Sequence, residues 1–483
     1  MIYRTVFLLL LSMPLWTKET SLDQQVSSTH ASYDGNSLLL EGKVQLQHGL
    51  GNMHAEQARL QKQEIGKDFP FSLIHLQENV VVSLKNTSEL LCDFAELDFV
   101  ALKGILSSLE GKKVSYKDFI QKGTVPLRLT GKHLDLLLSK EEATTEYKIS
   151  SVLVKQEVQI EYSNDFLLKS DEASYQNTDP QNSHLHGILQ AYPTSSTSKC
   201  QLFYQGEQLD AQSIYIDVDH NQLTIDQPNG SLPSHLFAEK QTSPLFFTCK
   251  KLLWDHDKEN LLLQEQVTLE EKTLGTLYAE KELFLQLGSS SEKKFIQSIQ
   301  IDGFSHIKHE DSSSGWQHKF TCFGNLHVDG ENNQILFTSP QQEEKRLCYE
   351  DPELIIRARK GRIEYSEASY KPISLTLQGD VTIQSTETSG PRRIGLADTL
   401  TYNPETQTII LSALPKKRVL FLDEGQNLTM SALEIHLVQD ASTGQMQAKG
   451  IGNVQFSFSS EENNLLNKWI LPLAEELTHV IPE

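Results

Sequence analysis

The stretch LTLQGDVTIQSTETSGPRRIGLADTLTYNPETQTIIL, residues Leu375–Leu411, contains the pattern that decides the fold. Apolar and polar residues alternate on both sides of Gly379, and this period of two is typical of a half-buried β-strand. A glycine inside a strand indicates a bulge or a bend. A second segment places a small residue, Ala397, five positions before a bulky one, Tyr402. The stretch therefore predicts two strands, of which the first is bent.

The small-to-bulky pattern recurs along almost the whole chain. About eleven copies follow one another at a spacing of roughly 38 residues, which indicates a repeat protein. The small residues of these copies are Ala55, Cys92, Gly131, Ser170, Ala211, Cys249, Ala279, Cys322, Ala358, Ala397 and Ser431. A buried cysteine behaves as a small hydrophobic residue. We therefore expect the cysteines at these positions to be packing residues.

The bent-strand pattern lies between many of these copies. Its central position is occupied by Gly42, Gly303, Gly379, Gly452, Glu78, Gln156 or Glu265. The bend therefore does not require glycine in every copy. Turn-forming residues such as Asn403-Pro404 separate the strands. Clean helical periodicity is confined to residues 463–476, which predict a short helix in the C-terminal tail.

A two-stranded unit cannot bury its apolar face alone, so neighbouring units must stack. The sequence therefore predicts an all-β protein built from repeated two-strand units of roughly 38 residues. Pro- and Ser-rich segments predict a boundary near residue 235. The expected organisation is two repeat arrays, residues 21–235 and 236–460, followed by a tail, residues 461–483.

The first 20 residues differ in composition from the repeats. A basic start at Arg4 precedes an apolar run, Val6–Trp16, which is shorter than the ~20 residues of a membrane-spanning helix. This arrangement predicts a signal peptide or a short N-terminal anchor, although no A-x-A cleavage pattern follows. The alternative is an ordinary buried N-terminal strand or helix.

The net charge of −21 excludes a nucleic-acid partner, because such binding needs a basic surface. The same charge would repel anionic lipid headgroups. A lipid would then be held by its acyl chains, or its headgroup charge would be offset by local Lys and Arg residues or by bound cations. The five cysteines are odd in number and include no C-x-x-C pair, so neither a disulfide framework nor a zinc site is predicted.

Residues that carry catalytic chemistry are scattered. The chain contains no GxSxG, HExxH, GxxxxGK[ST] or GxGxxG motif. His184 and His186 would share one face of a strand, but no cysteine or carboxylate pattern accompanies them. We therefore expect them to be solvated, and we predict no catalytic residue, no metal, no cofactor and no enzymatic activity.

The repeat resembles that of the OstA/LptA-like lipopolysaccharide-transport family, whose members repeat L-x-G-x-V-x-[LI], a turn and a-D-x-a-x-Y. The matching stretches are Leu375–Leu411, Leu38–Leu60 (LLLEGKVQLQHGLGNMHAEQARL) and Leu428–Phe456 (LTMSALEIHLVQDASTGQMQAKGIGNVQF). The resemblance implies an open β-jellyroll, or β-taco, solenoid with an apolar groove. This chain departs from the family's small bridge proteins in being longer and strongly acidic.

The resemblance also implies the function, the partners and the location. The groove would carry the acyl chains of lipopolysaccharide (lipid A) to the outer membrane, with the protein acting as a bridge or chaperone. Edge strands would bind other lipopolysaccharide-transport components or further copies of the chain, in an end-to-end homo-oligomer. The expected location is the periplasm, free or associated with the inner or outer membrane.

The inward apolar residues of the best repeats are the candidate lipid-binding residues. They are Leu40, Val44, Leu46, Val80, Val82, Leu263, Val267, Leu375, Leu377, Val381, Ile383, Val454 and Phe456. Two alternatives remain open. One is a structural or adhesive β-solenoid whose core is closed and binds no lipid. The other is a carbohydrate-active enzyme on a β-repeat scaffold, which needs a localised pair of carboxylates.

Overall fold

The structure of the chain is a computed structural model. It describes residues 25–62, 71–85, 88–118, 127–140, 146–163, 166–178, 186–204, 206–232, 244–271, 275–290, 293–310, 315, 317–366, 372–386, 390–439 and 446–458. The predicted signal segment (1–20), the tail (461–483) with its predicted helix, and the predicted boundary at residue 235 all lie outside these residues.

The chain divides into two compact units, and the boundary between them is interleaved along the sequence: residues 206–211 belong to unit 2 and residues 212–219 to unit 1. Unit 1 comprises residues 1–205 and 212–219. Its described strands are β1 (Val26–Ser27), β2 (His30–Tyr33), β3 (Ser37–His48), β4 (Gly51–Gln61), β5 (Leu73–Leu84), β6 (Glu89–Asp98), β7 (Lys103–Ser107), β8 (Val114–Asp118), β9 (Leu127–Gly131), β10 (His133–Lys140), β11 (Tyr147–Ser163), β12 (Phe166–Gln176), β13 (Ile188–Tyr192), β14 (Cys200–Tyr204) and β16 (Ser213–Asp217).

Unit 2 comprises residues 206–211 and 220–483. Its described strands are β15 (Glu207–Ala211), β17 (Gln222–Asp226), β18 (Asn229–Leu232), β19 (Leu245–Thr248), β20 (Lys251–Asp255), β21 (Asn260–Gln264), β22 (Val267–Glu271), β23 (Gly275–Ala279), β24 (Glu282–Ser290), β25 (Lys293–Asp302), β26 (Ser305–Glu310), β27 (Gln317–Cys322), β28 (Asn325–Asp329), β29 (Gln334–Thr338), β30 (Leu347–Glu350), β31 (Leu354–Ala358), β32 (Lys360–Tyr365), β33 (Pro372–Ser385), β34 (Arg393–Asn403), β35 (Thr408–Ser412), β36 (Val419–Asp423), β37 (Leu428–Ala432), β38 (Glu434–Gln439), β39 (Met446–Ile451) and β40 (Gln455–Phe458).

The prediction of an all-β fold is confirmed. The described helical segments are two three-residue 3-10 turns, Glu343–Lys345 and Glu424–Gln426. No helix within the described ranges is long and apolar enough to cross a membrane.

Each unit consists of two facing layers. A long strand belongs to one layer before its bend and to the other layer after it. In β33 the first half pairs with β32 and the second half pairs with β31. On its other edge, both halves of β33 pair with β34. In β3 the first half pairs with β2 and the second half with β1. All described pairings of this kind are antiparallel.

The bend is made by two successive residues in the left-handed conformation. The ladder between β33 and β34 skips Gly379 and Asp380, whose φ angles are 79° and 48°. The same conformation occurs without glycine at the dipeptides Glu78-Asn79, Gln156-Glu157 and Glu265-Gln266. The predicted bends are therefore confirmed, and glycine is dispensable at them. In several repeats the bend interrupts the strand, so one repeat forms four short strands, as in β20–β23.

The layers are named here by their strands. In unit 2, layer A contains β17, β20, β21, β24, β25, β28, β29, β32, the first half of β33, the second half of β34, β35, β38 and β39. Layer B contains β15, β18, β19, β22, β23, β26, β27, β30, β31, the remaining halves of β33 and β34, β36, β37 and β40. Unit 1 is built in the same way.

The two sides of this layered structure differ. On one side, here called the corner side, the chain passes from one layer to the other at the bends. On the opposite side, here called the mouth side, the strands of each layer are joined only to strands of the same layer. The apolar core lies between the layers, since one cluster joins Leu377 and Leu400 of layer A to Val381 and Val419 of layer B.

Candidate functional site

The interior of unit 1 is closed between β4 and β13. Its layer-A side chains form two rows, a first row next to the corners and a second row nearer the mouth. In the second row Ile74 pairs with Leu97, and Leu136 pairs with Val152. Each of these four side chains is at most 1% exposed. The facing second row of layer B is equally buried, with Met53, Val82, Leu90, Tyr116, Leu129 and Ile160 at 0–2%.

Between β25 and β34 the interior of unit 2 is closed in its first row and partly exposed in its second. In layer A the first-row residues Ile301, Leu326 and Phe337 are at most 1% exposed. The next inward residues of the same strands are partly exposed. This open groove is lined by Ile299, Val328, Ile335, Ile363, Leu375 and Tyr402 of layer A and by Ile307, Phe320, Tyr349 and Leu354 of layer B.

The groove is continuous because its layer-A residues are paired from strand to strand. Ile299 pairs with Val328, which pairs with Ile335, and the row continues through Ile363 to Leu375. Six strands, β25, β28, β29, β32, β33 and β34, therefore contribute to it. At about 4.8 Å per strand the row extends for about 24 Å.

The floor of the groove is tightly packed. The ring of Phe320 in layer B lies 4.2 Å, between centroids, from the ring of Phe337 in layer A. Leu377 and Leu400 lie beside it in the first row and are 2% and 0% exposed. The groove is therefore a shallow apolar channel that opens on the mouth side.

A polar and aromatic network forms the layer-B rim of the groove. The Tyr349 hydroxyl donates a 2.9 Å hydrogen bond to Asp351, and Nδ1 of His318 lies 2.8 Å from the same hydroxyl. The rings of His309 and His318 stack with 6.2 Å between centroids. Burial, with the charge of Asp351, raises the pKa of Tyr349, and the same causes raise the pKa of Tyr402. Both phenols therefore stay protonated and remain hydrogen-bond donors at the groove.

The mouth of unit 1 is fastened by contacts between its two layers. The Tyr147 N–H of layer A donates a 3.2 Å hydrogen bond to the carbonyl of Gly49 at a turn of layer B. His48 packs between Phe99 and Tyr147, with ring centroids 4.0 and 5.3 Å away. We call these four residues the clasp.

Two further contacts support the clasp. Lys85 of layer B pairs with Glu146 of layer A at 2.8 Å. Nδ1 of His48 accepts a 3.2 Å hydrogen bond from the Leu50 N–H, so this nitrogen carries no proton. Burial, with the nearby Lys85 charge, lowers the pKa of His48 to about 4. The clasp thus contains a buried neutral histidine.

The sequence-predicted lipid-binding residues fall into three environments. Leu40, Val44, Leu46, Val80 and Val82 lie in the closed interior of unit 1, each at most 3% exposed. Leu263, Val267, Leu377, Val381 and Ile383 are buried in unit 2 at 0–7%.

The other three predicted residues are more exposed. Leu375 lines the open groove, and Val454 is partly buried against the core cluster. Phe456 pairs with the inward residue Met430 but is 57% exposed. The groove residues Ile299, Val328, Ile335 and Ile363 were not predicted individually, although they belong to the same alternating strands.

Other candidate residues form ordinary contacts. Nδ1 of His186 lies 2.7 Å from Asp219, while His184 is outside the described residues. Cys92, Cys249 and Cys322 are buried, with 8%, 8% and 0% exposure. Within the described part of the chain no three His, Cys, Asp or Glu residues are grouped as metal ligands.

The solved structures that resemble part of the chain include the following one. It is the crystal structure of LptH, the LptA homologous periplasmic component of the conserved lipopolysaccharide transport device from Pseudomonas aeruginosa. The match covers 29% of this chain and 94% of that chain, at 8% sequence identity and a TM-score of 0.22. No protein-family model and no curated protein matches the chain. At this identity and TM-score the similarity carries no conclusion about function.

Proposed function

We propose that the protein binds and transports lipid, holding acyl chains of lipopolysaccharide in the open groove of unit 2. The observation that carries the proposal is a continuous row of partly exposed aliphatic side chains between two β-layers. Such side chains normally lie in a closed core, as they do in unit 1. The sequence resemblance to lipopolysaccharide-transport repeats supports the same ligand.

The groove suits an acyl chain in length and chemistry. A row of about 24 Å accommodates an extended fatty acyl chain across the strands. Burial contributes about 0.8 kcal/mol for each CH2 group of such a chain. Contacts with Ile, Val and Leu side chains need no precise polar geometry, so acyl chains of different lengths can bind. His318 at the rim offers a hydrogen bond to the polar end of the lipid.

The protein would act in the periplasm as a bridge or chaperone. It would carry the lipid without any chemical step. Other transport components would bind at edge strands. One candidate edge strand is β40, whose described pairing is with β37.

A photocrosslinking amino acid at Leu375 tests the proposal. Leu375 lines the groove, whereas its neighbour Thr376 points to the outer face of layer A and provides the matched control. A third probe at Leu97 reports on the closed interior of unit 1. We expect lipopolysaccharide to crosslink at Leu375 and not at Thr376 or Leu97. Absence of crosslinks at Leu375 in a folded, β-rich protein, or equal crosslinking at Leu375 and Thr376, would contradict the proposal.

A further inference from the structure

A second concave site lies on the corner side of unit 2, away from the groove. Three successive corners form a depression of about 410 Å3. It is lined by Tyr278, Glu280, Lys281, Gly303, Phe304, Phe323 and Lys345. Its volume falls within the range of small-molecule sites. Because Ala279 points into the core with 0% exposure, its neighbour Tyr278 lies on the outer face.

Backbone hydrogen bonds hold the corners of this depression together. The Glu280 N–H donates to the carbonyl of Phe304 at 3.0 Å, and the Gly303 N–H donates to the carbonyl of Gly324 at 2.9 Å. Gly303 has a φ of 103°, a conformation that favours glycine. A Cβ added at this residue would have one neighbour within 4 Å, the Lys281 Cδ at 3.9 Å. The backbone therefore forms the floor of the depression and holds its shape without a ligand.

Three aromatic rings form angled walls. The Phe304 ring is 6.2 Å from the Tyr278 ring at an interplanar angle of 64°, and 5.2 Å from the Phe323 ring at 56°. All three side chains are partly exposed. Mutually inclined ring faces with a carboxylate beside them, here Glu280, match the arrangement that binds quaternary ammonium groups through cation–π attraction.

Two lysines contribute the positive charge of the depression. Some other corner cations have an acidic partner, as in Lys250–Glu265 and Lys417–Asp398, at 2.8 and 2.6 Å. Lys281 and Lys345 are exposed and form no ion pair within the described residues. In a chain with a net charge of −21, two unpaired cations beside one cavity favour an anionic ligand group.

The geometry points to a binding site for a phosphate ester of a quaternary ammonium alcohol, the chemistry of phosphocholine. The trimethylammonium group lies against Tyr278, Phe304 and Phe323 with Glu280 as its counter-charge. The phosphate binds Lys281 and Lys345. This ligand uses every charged and aromatic group of the depression, whereas inorganic phosphate leaves the rings unused and choline leaves the lysines unused. The site is independent of lipid binding in the groove.

Calorimetric titration of the full chain with phosphocholine tests this inference, with choline, inorganic phosphate and glucose 6-phosphate as comparison ligands. We expect phosphocholine to bind at least about tenfold more tightly than the other three, since they lack either the cation–π or the phosphate contact. Equal or tighter binding of inorganic phosphate or glucose 6-phosphate would overturn the inference in favour of a simple anion site or a sugar site. Absence of phosphocholine binding would also overturn it.

Three variants separate the contributions of the aromatic rings and the lysines to phosphocholine binding. Phe304→Leu keeps an apolar side chain but removes the ring, and we expect it to weaken phosphocholine binding by roughly tenfold. Lys281→Gln combined with Lys345→Gln should remove the preference for phosphocholine over choline. Phe246→Ala, at a ring that is 55% exposed elsewhere on layer B, is the matched control and should leave binding unchanged. Unchanged binding in Phe304→Leu would refute the aromatic cage.

Vesicles distinguish a lipid headgroup from a free ligand. If the natural ligand is a headgroup, phosphatidylcholine vesicles bind the protein and free phosphocholine competes for the site. If it is a free ester, phosphocholine binds and vesicles do not. Both results support the assigned chemistry, and failure of both probes overturns it.

Discussion

Units 1 and 2 place the same kinds of side chain in the same rows, yet the second row is buried across the middle of unit 1 and partly exposed between β25 and β34 of unit 2. Leu97 of unit 1 is 0% exposed, whereas Leu375, in the same row of layer A in unit 2, lines the groove. At the mouth of unit 1 the clasp joins the two layers through His48, Phe99 and Tyr147. The closed second row of unit 1 thus occurs together with contacts that join the two layers at its mouth.

The largest difference between the units should appear when core side chains are truncated. Leu97→Ala creates a cavity in a closed interior and should lower the free energy of unfolding by about 2–5 kcal/mol. Leu375→Ala removes a side chain that already contacts solvent, so we expect a loss of roughly half that size or less. Urea unfolding of the full chain measures both. Equal losses would show that the second row of unit 2 is as closed as that of unit 1.

The clasp should make unit 1 sensitive to acid. Because the pKa of His48 is lowered to about 4 in the folded protein from its ordinary value near 6.5, the unfolded chain binds the proton more readily. The stabilising effect of neutral His48 is therefore complete above about pH 6.5 and is lost as the pH falls towards 4. A pKa shift of this size corresponds to roughly 3 kcal/mol in the free energy of unfolding.

The matched variant for the clasp is His48→Phe, which keeps a ring but cannot be protonated. The difference in unfolding free energy between wild type and His48→Phe should change between pH 7 and pH 4. The protection of the Tyr147 amide, which bonds to Gly49 across the mouth, should fall at low pH in the wild type alone, when its hydrogen exchange is corrected for the intrinsic rate at each pH. A difference that stays constant with pH would rule out the clasp as an acid-sensitive contact.

Smaller effects should be the same in both units, because the corners are common to them. Gly42 and Gly379 have φ angles of 74° and 79°, and an added Cβ would lie 2.8–3.0 Å from side-chain atoms of Thr29 and Arg359. Gly42→Ala and Gly379→Ala should each cost about 1–2 kcal/mol. Thermal unfolding measures these changes. A cost confined to one unit would mean that the corners, and not only the mouths, distinguish the units.

The converse substitutions should stabilise the protein. Glu78 of unit 1 and Glu265 of unit 2 hold left-handed φ angles of 64° and 58°. Glycine adopts this conformation without steric cost, so Glu78→Gly should raise the free energy of unfolding by about 0.5–1 kcal/mol. Glu265 also pairs with Lys250 at 2.8 Å, an exposed pair that contributes little, so its gain should be slightly smaller. A loss of stability in Glu78→Gly would contradict this explanation of the bend.

Local features of the fold could be predicted from the sequence, because they depend on neighbours along the chain. The alternation around Gly379 predicts a strand with a bend, and the small-to-bulky spacing predicts a repeat. The alternation does not predict that the bend transfers the strand to a second layer. That outcome depends on two left-handed residues in succession, of which the second, Asp380, has no distinctive residue type.

The open groove could not be predicted, for a different reason. Ile335 and Ile363 are of the same chemical kind as Ile74 and Ile160, which are fully buried. Their exposure depends on how closely the two layers approach at the mouth. That approach depends on contacts such as Tyr147 to Gly49, between residues about one hundred positions apart. Periodicity contains no information about contacts at this separation.

The five unpaired thiols bear on how the chain withstands oxidation. All five cysteines are free. The thiolate is the form that reacts with oxidants and disulfides. Burial raises the pKa of Cys92, Cys200 and Cys249 to about 12, and it also raises the pKa values of Cys322 and Cys348. At neutral pH the thiolate population of the folded chain is therefore small, which slows the reaction of these cysteines with oxidants and disulfides.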